Sequence, residues 1–129
     1  MILHAIPVLH MTSAVAAEEF YCGLLGFQLE FEAGAGGTQR DPCYLGVSRD
    51  GALLHLSSHA GDGVVGNVAL LICRNAGEID ALHDEFVARG VRIHVEPVAQ
   101  TWGMREMYVL DPDGNSVRFA APIETGQAK

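Results

Sequence analysis

The sequence predicts an α+β fold built from two βαβββ modules in tandem. Three landmarks carry this reading. The helix-ending glycines Gly26 and Gly90 lie 64 residues apart, and the turn glycines Gly51 and Gly114 lie 63 apart. Aligning the first strands by apolar pattern sets Asn67 against Ile6, a shift of 61. A shared period of this length marks a repeated supersecondary unit. Each module is marginal for independent stability, so the two are expected to pack on one another or on a second chain. The predicted architecture is a curved half-barrel sheet with helices outside, formed by the two modules side by side or swapped between two chains. One domain is expected over residues 1–123, with module one at about 4–58, module two at about 64–122 and a tail at 124–129.

The elements follow in order. HAIPVLHM, residues 4–11, is a short strand, with Pro7 at its start or edge because proline cannot donate to a ladder. Thr12 or Ser13 can cap a helix. Ala17, Phe20, Tyr21 and Leu24 then recur at helical spacing, and Gly26 ends the helix. Phe27, Leu29 and Phe31 alternate with polar residues and read as a half-buried strand. AGAGG, residues 33–37, reads as a flexible loop. Strands at 43–48 and 52–57 flank the Asp50-Gly51 turn, and 57–66 is the linker. The order then repeats. Residues 67–73 form a buried strand. A helix over 76–89 has Ile79, Leu82 and Phe86 inside and ends at Gly90. An alternating strand holds Val91, Ile93 and Val95. After a loop through Trp102, two strands at 104–110 and 115–121 flank Asp113-Gly114, a strong hairpin signal.

Bulk properties narrow the function. A chain that is 49% hydrophobic and 19% charged can bury a core. A net charge of −8 argues against nucleic-acid binding, which needs clustered Lys and Arg. No apolar run is long enough to span a bilayer and no signal pattern opens the chain, so a cytoplasmic protein is expected. Cys22, Cys43 and Cys73 are widely spaced without a CxxC pair and read as reduced core thiols. Cys43 as a nucleophile beside His55 is the weaker reading.

The repeat predicts four equivalent inward positions, two per module: Ile6, His55, Asn67 and Arg118. By alternation His10 shares a face with Ile6, and Ser57 shares one with His55. PVLHMTSAVAAEEFYCGLLGF, VRIHVEP and WGMREMYVLDPDGNSVRF together resemble the vicinal oxygen chelate superfamily over residues 5 to about 122. That superfamily includes glyoxalase I, extradiol dioxygenases, fosfomycin-resistance enzymes and bleomycin-resistance proteins. The Trp-Gly pair followed by the DPDG strand is similar to the bleomycin-resistance branch.

In metal-using members the inward positions carry His and Glu around a divalent ion. Here only His55 is a good ligand. Ile6 has no donor, Asn67 offers a weak amide oxygen, and Arg118 brings a permanent positive charge. His4, His10, His55 and His59 are the other grouping that could hold a cation. The resemblance therefore implies a metal-free, non-catalytic, homodimeric protein. It would sequester a planar aromatic natural-product antibiotic in a dimer cleft, with no cofactor, nucleic acid or membrane partner. Trp102 would stack on the ligand, Met104, Met107 and Phe31 would add contact surface, and Arg118, His55, Asn67, His10 and Ser57 would anchor polar groups. The alternatives are a divalent-metal-dependent glyoxalase-like lyase, isomerase or dioxygenase, and a cofactorless enzyme with His10 or His55 as base.

Overall fold

A computed structural model describes residues 1–34 and 39–124. Strands β1 (Val8–His10), β2 (Gln28–Gly34), β3 (Cys43–Arg49) and β4 (Ala52–Ser57) form one mixed sheet in the order β1-β4-β3-β2. Strands β5 (Val68–Ile72), β6 (Ile93–Ala99), β7 (Met104–Leu110) and β8 (Ser116–Pro122) form a second, in the order β5-β8-β7-β6. In each sheet the first strand runs parallel to the last. With one helical segment after each first strand, these are the two predicted βαβββ modules. The end of the expected 33–37 loop and the tail beyond Glu124 lie outside the described residues, while Ala33 and Gly34 belong to β2.

The chain divides into two compact units. The first is Met1–Asn67 with Asp111–Asn115, and the second is Val68–Leu110 with the chain from Ser116 onward. In the first unit, α1 (Ala14–Glu18) is capped by Ser13, whose hydroxyl accepts from the Ala16 N–H. Thr12 instead bonds Asp113 through both its N–H and its hydroxyl. The helix continues as a wider π-helical segment over Glu19–Leu24, shown by the Leu25 N–H reaching the Phe20 carbonyl. Gly26 then reverses the chain at φ 76°, a conformation that disfavours a side chain. Leu9, Leu45, Val47, Leu54, Leu56 and Tyr21 are fully buried in this unit.

Residues 111–115, DPDGN, complete the first unit through a buried polar network. The Asp111 carboxylate accepts from the Tyr21 hydroxyl at 2.7 Å, the Asn115 side-chain amide at 2.8 Å and the backbone N–H groups of Asp113 and Asn115. Asn115 in turn donates to the His10 carbonyl and accepts from the Asn67 N–H. Burial and the Asp111 carboxylate push the Tyr21 hydroxyl far above the usual phenol range.

In the second unit, α2 (Ala76–Ala88) is capped by Asn75, which accepts from the Glu78 N–H at 3.0 Å. Ile79 and Phe86 are buried, and Phe86 meets Phe119 of β8 with ring centroids 5.2 Å apart. That contact marks the face of the second sheet carrying Phe119 as the helix-covered one. The predicted buried strand at 67–73 is corrected. β5 is an edge strand, and its Val68, Leu70 and Ile72 are 45%, 54% and 62% exposed. They alternate away from Ala69, which is buried on the covered face.

Candidate functional site

The uncovered face of the second sheet can be read row by row from its register. Leu70, Arg118 and Tyr108 lie side by side on β5, β8 and β7. The next row is Ile72, Ala120, Glu106 and Val98, and the row on the other side is Val68, Ser116 and Leu110. Trp102 sits in the β6–β7 turn, 62% exposed, where its indole N–H donates to Glu106 at 2.8 Å. The Tyr108 hydroxyl donates to the other Glu106 oxygen at 2.6 Å. Glu106 is only 5% exposed, so its carboxylate is braced between two aromatic donors. Its acceptance of the Tyr108 proton holds that phenol above its usual range, and burial adds to the effect.

Arg118 lies over the Tyr108 ring, its guanidinium carbon 4.3 Å from the centroid, which is cation–π geometry. Its Nε–H donates to the Ser116 hydroxyl at 3.1 Å. No ion pair to Arg118 occurs among the described residues. A charged, planar donor fork therefore stands among apolar side chains with its terminal N–H groups uncommitted. Met104 is half-buried and shares this face by alternation. Met107 does not: it pairs with Phe119 on the helix-covered side and is fully buried. Its buried place in the core answers the expectation that it adds contact surface.

The uncovered face of the first sheet carries His55. Beside it lie Val8 on β1 and Gly46 on β3, and Phe31 of β2 is opposite Gly46. Phe31 lies over Gly46 so closely that a Cβ there would clash with the ring. The ring meets His55 edge-on at 5.2 Å and stacks on Tyr44 at 6.1 Å. The Tyr44 oxygen lies 2.8 Å from His55 Nδ1. Burial, helped by the charge of Asp62, pushes the Tyr44 phenol up, so it keeps its proton at neutral pH.

The other predicted residues separate. His10 pairs with Ser57 on the His55 face and is half-buried. Ser57 is fully buried, its hydroxyl donating to Asp62 and accepting from the His59 N–H. It is the last residue of β4, and its hydroxyl holds the loop that follows. Asn67 precedes β5, and alternation turns it off the Arg118 face. The residue that takes the predicted inward place is Val68, because the pairs Val8–His55 and Leu70–Arg118 set the first-strand shift at 62 rather than 61. Cys43 is buried on the face opposite Tyr44 and His55, and burial pushes its thiol up, away from nucleophile chemistry. The sequence reading missed Tyr44, Gly46, Tyr108 and Ser116 as contributors to these faces. A tyrosine in β3 and another in β7 were the available signal.

The donor set does not fit a divalent metal. Among the described residues, no three His, Cys, Asp or Glu side chains group so as to hold one. Ile6, Val68 and Arg118 supply no metal-binding atom at the places where ligands would stand. A surface depression of about 520 Å3 lies beside α1, lined by Val15, Glu18, Glu19, Cys22, Gly23 and Arg40. Its Arg40 is committed to Glu18 and Glu32.

A family model described as glyoxalase superfamily protein matches residues 1–126. The chain belongs to the glyoxalase superfamily. No curated protein matches it. Among solved structures, a glyoxalase/bleomycin resistance protein/dioxygenase from Nocardioides is 20% identical with a TM-score of 0.69, covering 100% of this chain and 91% of that one. Lactoylglutathione lyase from Agrobacterium tumefaciens is 19% identical with a TM-score of 0.72, covering 92% of each chain. TnmS3, an antibiotic binding protein from Streptomyces sp. CB03234, is 25% identical with a TM-score of 0.67, covering 95% of this chain and 98% of that one. The glyoxalase fold thus houses proteins of different function, and its sites must be read residue by residue. No helix among the described residues of this superfamily member is long and apolar enough to cross a membrane.

Proposed function

We propose that this glyoxalase superfamily protein binds a flat aromatic small molecule without a metal, in the manner of an antibiotic-sequestering protein. The carrying observation is Arg118 laid on Tyr108 with uncommitted N–H groups, among exposed apolar side chains. Arg118 would anchor a carboxylate, phosphate or carbonyl of the ligand. Trp102, fixed in orientation by Glu106, would supply the stacking surface, with Leu70, Ile72 and Met104 as apolar contacts. The first sheet's own face, with His55, Phe31 and His10, is a separate candidate contact surface. The likeness to TnmS3, described as antibiotic binding, supports the class of ligand. The lyase likeness at 19% identity supports the fold alone. We propose further that the chain works as a cytoplasmic homodimer, the state the bleomycin-resistance resemblance implies.

The test is calorimetry with bleomycins, enediynes, quinones and flavins against the wild type and Trp102→Ala. Trp102 is exposed, and in the variant the Glu106 carboxylate keeps its bond from Tyr108. The replacement should weaken binding of the responding ligand by more than about 1 kcal/mol, as when an aromatic anchor is lost. An unchanged dissociation constant would remove Trp102 from the site.

A further inference from the structure

The Tyr44–His55 pair is not absorbed by the Trp102 face, and its hydrogen-bond accounting has a chemical consequence. Tyr44 remains a protonated phenol at neutral pH, and among the described residues its only hydrogen-bond partner is His55 Nδ1. If Nδ1 carried the imidazole proton and donated it to the Tyr44 oxygen, the phenol proton would have no protein acceptor among the described residues. The arrangement that satisfies both groups has Tyr44 O–H donating to the Nδ1 lone pair. A neutral imidazole carries one proton, so it must then sit on Nε2. In that state His55 has no lone pair left for a proton or a metal ion, and Nε2–H is a donor. The exposed Phe31 ring, edge-on to His55, provides an aromatic wall beside that donor.

We propose that Tyr44 is a positioning residue that fixes neutral His55 as the Nε2–H tautomer, making the Phe31–Tyr44–His55 cluster a donor site for an acceptor oxygen on an aromatic ligand. The class of ligand is a planar aromatic ketone or quinone. The tautomer rests on the Tyr44–His55 hydrogen bond and on the phenol's having no other partner among the described residues. The ligand role rests on the reading of this protein as a small-molecule binder.

Long-range proton–nitrogen NMR on the full chain at mildly alkaline pH reads the tautomer directly. The His55 signals are assigned by their loss in His55→Gln. The wild type should show a protonated Nε2 and a pyridine-type Nδ1. Tyr44→Phe, which keeps the ring, should relax His55 toward a mixture of tautomers. A protonated Nδ1 in the wild type, or an unchanged His55 spectrum in Tyr44→Phe, overturns the proposal.

Chromone, a planar aromatic ketone with no titratable group, then tests the donor role. Titration should shift His55 Nε2 saturably, and Tyr44→Phe should weaken that response by the factor by which the Nε2–H population falls, about twofold for an even mixture. An Nε2–H tautomer with no chromone response refutes the donor role. If planar antibiotics still quench Trp102 in that case, the proposed function stands without this site.

Discussion

His55 and Arg118 occupy the same place in the two repeats, each four residues past a turn glycine, and each is braced by a tyrosine. The bracing differs because the residue directly across the sheet differs. Opposite Arg118 is Tyr108, whose ring lies under the guanidinium. Opposite His55 is Gly46, and the missing side chain leaves room for Phe31 from the neighbouring strand. Tyr44 therefore reaches His55 from one pair further along, ring to ring and oxygen to nitrogen. One scaffold position thus holds a cation stacked on an aromatic in one unit and a hydrogen-bonded imidazole in an aromatic cluster in the other. Neither arrangement supplies the paired His and carboxylate donors of a metal centre.

The turns show the same divergence. Asp50-Gly51 is a two-residue hairpin turn with both residues at positive φ, 52° and 85°, as a type I′ turn requires. Asp113-Gly114 sits instead within the five residues that join Leu110 to Ser116, ordered by the buried Asp111 carboxylate. The largest expected effect separates them. Asp111→Ala would leave the Tyr21 hydroxyl and the Asn115 amide without their acceptor. It should cost about 3 kcal/mol in urea unfolding, in line with losing a buried charged acceptor. Asp50→Asn, at an exposed position whose conformation Asn tolerates, should stay within about 0.5 kcal/mol. Similar losses from the two variants would mean that the turns are equivalent after all.

A smaller effect is expected at Gly46. Gly46→Ala forces the Phe31 ring aside. The ring is 43% exposed and can swing outward, so the cost should be about 1 kcal/mol, at the low end for overpacking. The sharper readout is local. The ring-current shift that Phe31 imposes on the His55 ring protons should vanish in the variant. Its persistence would show that the cluster does not depend on the glycine.

Much of this was legible in the chain. The glycine period placed the two modules, and the four-residue offset from each turn glycine placed His55 and Arg118. The cross-strand partners were not legible, because register depends on turn length, and the second connection holds five residues between paired strand ends against two in the first. Measured from the turn glycine, the pairing moves by one residue, which sets Tyr108 rather than Val109 opposite Arg118. The same sensitivity put Asn67 one residue off the inward face. The exposure of Val68, Leu70 and Ile72 was hidden because an uninterrupted apolar run does not reveal which of its faces is covered. Asp111 and Asn115 did carry a signal: two polar residues bracketing a Pro-Asp-Gly turn point to side chains that order their own loop.

The most direct test of metal-free binding is tryptophan fluorescence of chelator-treated protein, titrated with bleomycins, enediynes, quinones and flavins. Trp102 is the single tryptophan, so the emission reports on the proposed face alone. Saturable quenching at micromolar ligand with no metal added is the predicted result. A response that emerges only after a divalent ion is restored would contradict the account and point to metal-dependent chemistry.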